Sequence, residues 1–250
     1  MLRRGLGYER ADAVAILNVA EDHLGEWGIG DLEGLVDAKF ILAQGVKPGG
    51  ALVLNADEPP VLDRGRALDA ARTLWFALDA AQPQLVSHAA AGGETACVAD
   101  GMLCLGRGAT RQPLAAEVDV PVTFGAKARF NTSNALAAAA LAACAGLEPA
   151  AIAAGLTQFE SSPSLNPGRG NLFEIDGVTV FADFAHNPHG THAIFAMARA
   201  FEAARVGILL GQALGPRTSS FASHAALGSF SAAVLLVVGY VVLFPLALLV

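Results

Sequence analysis

Four stretches of the chain gather side chains that could do chemistry. The first is Asn18-Val19-Ala20-Glu21-Asp22-His23-Leu24, where two carboxylates and an imidazole follow an apolar run at residues 13–18. Imidazole and carboxylate both coordinate divalent cations such as Mg²⁺, with water filling the remaining positions. The plainer alternative has Asp22 capping the next helix and His23 packing beneath it. The second is Lys39 in Val36-Asp37-Ala38-Lys39-Phe40, one of only three lysines, with Lys47 and Lys127. An ammonium among apolar neighbours loses hydration and its pKa falls. The neutral amine can then take up CO₂ as a carbamate, which reverses its charge and makes it a metal ligand. The alternative is an ordinary ion pair with Glu33 or Asp37. The third is Phe130-Asn131-Thr132-Ser133-Asn134. An Asn amide offers both a donor and an acceptor and so can read a purine edge, and two of them three apart on a helix face the same side. Simple helix capping by Asn131 is the competing account. The fourth pairs Pro167-Gly168-Arg169 with Asp183-Phe184-Ala185-His186-Asn187-Pro188. An arginine fork reaches phosphate or ribose oxygens bidentately, and a carboxylate after a strand commonly takes a ribose hydroxyl. A capped turn before a helix explains the Asn-Pro end equally well.

The elements that must position these groups alternate strand and helix signals, which points to an α/β fold. Strands are expected at residues 13–18, 51–55 and 73–76, and a helix at 31–45 between the first two. Residues 84–124 read as short β pieces divided by Gly-Gly, Asp-Gly and Pro turns. An Ala-rich helix is expected at 131–145, opened by the Asn-Thr-Ser-Asn cluster, with another at 148–156. The stretch SSPSLNPGRG at residues 161–170 is rich in Ser, Pro and Gly and marks a linker or boundary. After it come a hairpin at 172–183 turning on Asp176-Gly177, a helix at 193–204 and a strand at 206–210.

Hydrophobic residues make up 54% and charged residues 16%, ample for a buried core and too apolar for a disordered chain. The net charge is −7 and no basic run occurs, so nucleic acid is not an expected partner. Cys97, Cys104 and Cys144 have neither metal-ligand spacing nor an even count, and read as reduced thiols of a cytoplasmic protein. No apolar leader follows the N-terminal MLRRGLGYERAD. The C-terminal end differs in kind. Residues 232–250, AAVLLVVGYVVLFPLALLV, carry no charge and approach the ~20 residues that span a bilayer. A membrane attachment there is one expectation and a buried apolar segment the other.

Taken in order, NVAEDHLGEWGI, DAKFILAQGVKPGGALVLNADEP, ARFNTSNALAAAALA, NPGRGNLFEIDGV and VFADFAHNPHG resemble the Mur ligase family. That family includes peptidoglycan amino-acid ligases, folylpolyglutamate synthetase and cyanophycin synthetase, and NLFE with DFAHNP is most similar to the cyanophycin-synthetase-like branch. The resemblance runs from about residue 3 to about residue 212. It implies a partial P-loop-type central ligase domain over residues 1–160. An incomplete Rossmann-like C-terminal domain begins at 161–212, and an atypical apolar tail covers 213–250. It implies an ATP- and Mg²⁺-dependent ligase acting on small-molecule carboxylate and amino-acid substrates through an acyl phosphate. By the same resemblance His23 and a carbamylated Lys39 serve the metal, Asn131 and Asn134 lie near adenine, and Arg169 and Asp183 hold ribose and phosphates. His186 and Asn187 match motif positions.

The chain departs from the family pattern in three places. No G-x-x-x-x-G-K-[ST] sequence occurs, the loop that cradles ATP phosphates. A metal-binding glutamate that the family places ahead of the RRGLG-like stretch would fall before Met1. Beyond Gly211-Gln212 the chain reads ALGPRTSSFASHAALGSF and then the apolar run. A truncated N-terminus and a replaced C-terminus are therefore expected.

Overall fold

The structure is a computed structural model that describes residues 9–21, 24–25, 28–68, 72–185, 187–210 and 234–238. These fall into two compact units, Met1–Phe159 and Glu160–Val250.

The first unit is built on a six-stranded sheet in the order β1-β2-β3-β4-β5-β6. β1 (Ala11–Ile16), β2 (Val46–Asn55), β3 (Thr73–Ala77) and β4 (Glu94–Ala99) run parallel. β5 (Met102–Arg107) and β6 (Thr110–Ala116) continue the sheet antiparallel. α1 (Leu32–Gln44), α2 (Pro59–Arg66) and α3 (Pro83–Ala90) connect successive parallel strands. Right-handed crossovers along a sheet that grows in one direction bring all three helices to the same face. There Leu35, Phe40, Val61 and Leu85 pack on Ile16, Leu52, Leu54 and Trp75. The opposite face carries Val53, Leu74, Phe76 and Leu103, covered by Ala135, Leu136 and Ala140 of α4 (Arg129–Cys144). Alternation along β2 and β3 thus feeds two cores, as a doubly covered parallel sheet requires. Leu54, Phe76 and Leu136 are completely buried, each contributing about 1.5–3 kcal/mol. α5 (Pro149–Gln158) follows α4.

Local chemistry sets the helix ends. Asp31 caps α1 by accepting from the Gly34 N–H at 2.8 Å. α2 and α3 both begin on Pro, whose missing N–H is no loss in a first turn. Residues 84–124 are therefore not all β: α3 occupies their start, because Pro83 opens a helix there and the Gln82 side chain accepts from the Gln84 and Leu85 N–H groups. The Ala-rich helix also starts two residues earlier than expected. Its N-cap is Ala128, with no side-chain cap, so Asn131 sits inside the first turn and does not cap it.

In the second unit, β7 (Asn171–Ile175) and β8 (Val178–Asp183) form the expected hairpin. Asp176 and Gly177 turn it with φ of 50° and 77°, the left-handed pair that suits a two-residue loop. α6 (Pro188–Ala200) begins five residues before its expected start, because Asn187 accepts from the Gly190 N–H at 2.8 Å and Pro188 follows as the first helical residue. β9 (Val206–Leu210) and β10 (Val234–Val238) complete a sheet in the order β7-β8-β10-β9. β10 lies parallel to both β8 and β9. The membrane expectation for residues 232–250 is thereby corrected: Val234–Val238 is a strand, and among the described residues no helix is long and apolar enough to cross a membrane. An uncharged VLLVV run suits a strand that pairs in parallel on both sides.

Candidate functional site

In open parallel sheets, ligands bind beyond the carboxyl ends of the strands. In the first unit that edge begins at Asn18, just past β1. Lys39 extends from α1 and its Nζ donates to the Asn18 carbonyl at 3.0 Å. Its side chain is half-buried. The carboxylate of Asp37, one of the two acids considered as a plain ion-pair partner, is engaged by Arg64. Lys39 thus reaches the loop after β1. His23 lies outside the described residues.

Further along the same edge, Asn55 ends β2. Its Oδ1 accepts from the Asp57 N–H at 3.0 Å, and Asp57 Oδ2 accepts from Leu78 N at 2.6 Å, joining the ends of β2 and β3. Burial raises the Asp57 carboxyl above its ordinary value, and the charge of Asp79 adds to this. The Leu78 N–H bond and Arg129 oppose it. Asp57 carried no weight in the sequence reading, although a polar Asn-Ala-Asp directly after the buried ALVL was a usable signal.

The start of α4 reaches this edge by a separate route. β6 ends beside the β4–β5 turn, where the Glu117 N–H donates to the Gly101 carbonyl at 2.8 Å. Two 3-10 turns follow, Glu117–Asp119 and Pro121–Thr123. The Glu117 carboxylate is buried and its Oε1 accepts from Thr132 Oγ1 at 2.6 Å and Arg129 Nη1 at 2.5 Å, pinning the first turn of α4. Asn131 donates through Nδ2 to the Val122 carbonyl at 2.7 Å, and Asn134 Nδ2 donates to Asn131 Oδ1 at 3.3 Å. Asn131 is half-buried and Asn134 is exposed. The pair stands together as expected.

In the second unit, Asp183 ends β8. Its Oδ2 accepts from Gly170 N at 2.9 Å and its Oδ1 from Ala185 N at 2.8 Å, so the carboxylate ties the Gly168-Arg169-Gly170 loop to the strand end. Burial raises its pKa, while those backbone N–H groups and Arg169 pull the other way. The Arg169 guanidinium lies over the Phe184 ring, 5.0 Å from its centroid. Asn187 caps α6, which realises the structural alternative for that residue. His186 is outside the described residues. Asn171, which no sequence signal singled out, organises the loop: it is 2% exposed, accepts from Gly168 N at 2.7 Å, and donates to the carbonyls of Ser161 and Asn166, each at 3.1 Å.

A parallel-dominated sheet covered on both faces, with amides, carboxylates and a lysine at its carboxyl edge, defines an α/β domain. The chain belongs to the Mur ligase family: the model of the Mur ligase middle domain matches residues 3–142. A cyanophycin synthetase from Geminocystis herdmanii is 33% identical over 211 residues, covering 84% of this chain and 24% of that protein. The chain thus spans about a quarter of the length of the curated relatives it matches. Among solved structures, the MurF ligase from Thermotoga maritima in complex with ADP has a TM-score of 0.60 at 12% identity, covering 92% of this chain and 58% of that chain. The bifunctional folylpolyglutamate synthase/dihydrofolate synthase from Yersinia pestis, complexed with AMPPNP and Mn ion, has a TM-score of 0.59 at 18% identity with the same coverage. Both likenesses are of fold.

Proposed function

We propose that this chain is the nucleotide- and metal-handling part of an ATP-dependent ligase that joins a small-molecule carboxylate to an amino-acid amine in the cytoplasm. The observation that carries the reading is Lys39, whose amine reaches the Asn18 carbonyl at the end of β1. That is where a cation held by the Lys39 side chain would meet the phosphates of a ligand bound at the carboxyl edge. The ADP and AMPPNP held by the solved relatives support a nucleotide as that ligand. The cyanophycin synthetase relatives favour that branch over peptidoglycan synthesis.

In this account the substrate carboxylate attacks the γ-phosphorus of ATP, the bond to the β-γ bridging oxygen breaks, and an acyl phosphate and ADP result. The amine then attacks the acyl carbon, loses a proton, and phosphate leaves from the tetrahedral intermediate to give the amide. Positioning and charge neutralisation supply most of the acceleration. Asn134, with Asn131 behind it, reads adenine. Asp183 takes ribose hydroxyls and Arg169 the phosphates. His186 and Asn187 close the same motif. Lys39 in its neutral form adds CO₂ with loss of a proton, and the carbamate oxygens and His23 would hold a divalent cation, Mg²⁺ in this proposal. A carbamate and an imidazole suit a divalent cation that keeps water and phosphate oxygens in its shell. Such a cation supplies neutralisation of phosphate charge.

ADP release that requires ATP, a divalent cation, a carboxylate and an amine together tests the reading. ADP release indifferent to carboxylate and amine would contradict it. A non-catalytic nucleotide-binding remnant is the second reading. Tight binding of ATP with Mg²⁺ by calorimetry would exclude the remnant.

A further inference from the structure

The cysteines are scattered along the chain, yet the first sheet sets two of them opposite each other. Cys97 on β4 and Cys104 on β5 are register partners across the antiparallel ladder. The register follows from the turn. Asp100 and Gly101, with φ of 50° and 73°, form a tight loop closed by Ala99 and Met102, and counting back from that closure sets Cys97 against Cys104. Opposite residues of an antiparallel pair share a face, and both thiols belong to the core under α1, α2 and α3. Val98 turns its carbonyl to the β3 side, where it accepts from the Ala80 N–H at 3.2 Å. Its neighbour Cys97 therefore turns both backbone groups toward β5. That makes Cys97 and Cys104 a hydrogen-bonded pair, with Cα atoms about 5.5 Å apart. A disulfide needs Cα atoms about 4.4–6.8 Å apart and prefers about 5.5–6 Å. Both cysteines are free thiols. Cys144 packs from α4 against the opposite core and cannot reach either of them.

The two thiols are 2% and 5% exposed. Burial pushes both up from their ordinary pKa, against the pull of the Arg111 charge. They are therefore poor nucleophiles toward bulky reagents, and a small oxidant has the advantage. The fold gives such an oxidant a way in. β6 ends the sheet order, and β5 and β6 shift register between Leu103 and Cys104, which disrupts the ladder at that point. Cys104 lies opposite Pro113, which has no N–H to give. Opening of this edge exposes Cys104 without unfolding the parallel strands.

We propose that Cys97 and Cys104 are an oxidation site, a dithiol that a hydroperoxide closes to a disulfide across β4 and β5. Cys104, as thiolate, attacks the peroxide; the O–O bond breaks, and a sulfenic acid forms as water or an alcohol leaves. Cys97 then attacks that sulfur; the S–O bond breaks, the S–S bond forms, and water carries off the oxygen and the thiol proton. Two electrons pass from the two thiols to one peroxide. The bond staples the hairpin whose Gly101 carbonyl accepts from the Glu117 N–H at 2.8 Å. The test treats the full 250-residue chain with hydrogen peroxide in the absence of denaturant. Remaining thiols are then blocked in denaturant, and peptides are mapped without reductant after cleavage before Asp100, which parts the two cysteines. The expected product is one bond within the chain joining the Cys97 and Cys104 peptides, with Cys144 outside it, and dithiothreitol should reverse it. Cys144→Ser should give the same product. The oxidised chain should melt higher than the reduced chain by roughly 5 °C. A bond to Cys144, bonds between chains, sulfinic or sulfonic acid at Cys97 or Cys104, or a pair that survives peroxide until the chain unfolds would each overturn the proposal. An oxidised chain that melts at or below the reduced one overturns the staple.

Discussion

Replacing Glu117 with Ala removes the acceptor that fastens α4 to the turn after β6. Two donors converge on Glu117 Oε1, Thr132 Oγ1 at 2.6 Å and Arg129 Nη1 at 2.5 Å. They do not weigh equally. Thr132 is completely buried, so losing its partner costs about 1–3 kcal/mol. The Arg129 side chain is 49% exposed, and water and salt limit that pair to about 1 kcal/mol or less. The expected destabilisation is about 2–3 kcal/mol, dominated by the hydroxyl. For a unit of this size each kcal/mol moves Tm by about 2–4 °C, so unfolding of the first unit should fall by roughly 5–10 °C. Glu117→Gln retains an oxygen for Thr132 and should lose only about 1 kcal/mol. Denaturant unfolding of the three chains, followed by circular dichroism, measures the difference. A Glu117→Ala chain within about 0.5 kcal/mol of the original, or a Gln variant as damaged as the Ala variant, would refute the assignment of the buried hydroxyl as the dominant partner. Because Thr132 and Asn131 share one helical turn, the Ala variant should also weaken nucleotide binding.

Three further outcomes are expected. A Cβ at Gly65 would meet Leu54 Cδ1 at 2.5 Å and Trp75 Cη2 at 2.6 Å, so Gly65→Ala should destabilise through overpacking of about 1–3 kcal/mol, more than the ~1 kcal/mol of helix propensity it gains. A melting temperature at or above that of the original chain would contradict the close helix–sheet approach. Asp183 has its pKa raised by burial above the ordinary 3.8, so the folded chain favours its protonated form. That contribution is fully present below pH 3.8 and is lost as pH rises through the raised value. Asp183→Asn, which has no charge to bury, should therefore gain stability relative to the original chain as pH rises from about 4 to 7, and a pH-independent difference would speak against it. Lys39 should give a carbamate resonance by carbon NMR in isotope-labelled bicarbonate. Lys39→Arg cannot, since a guanidinium stays protonated; a resonance that survives the substitution would place the carbamate elsewhere.

Much of the fold was legible because buried parallel strands write themselves as unbroken apolar runs. ALVLN and the Thr73–Ala77 segment could hardly be anything else between helical patterns. α3 was hidden because Pro83 reads as a break, whereas a proline in a first turn begins a helix. Asn131 looked like a cap for a similar reason: residue type suggests capping, but only the chain path shows that Ala128 holds that place. The VLLVV segment fits a membrane helix and a central strand equally well by composition, and the pairing with β8 and β9 decides between them. At the candidate site, residue types together with the family resemblance singled out Lys39, Asn134, Arg169 and Asp183 as candidates. They did not bring out Asn171, Glu117 or Phe184, whose importance lies in what they touch.

The account stands most directly on where a nucleotide sits. Photolabelling the chain with an azido-ATP probe in the presence of Mg²⁺, followed by peptide mapping, locates it. The expected label falls within residues 121–137 or 167–190 and disappears when excess ATP competes. Labelling confined to other peptides, or labelling that ATP does not displace, would contradict the nucleotide site and the ligase reading built on it.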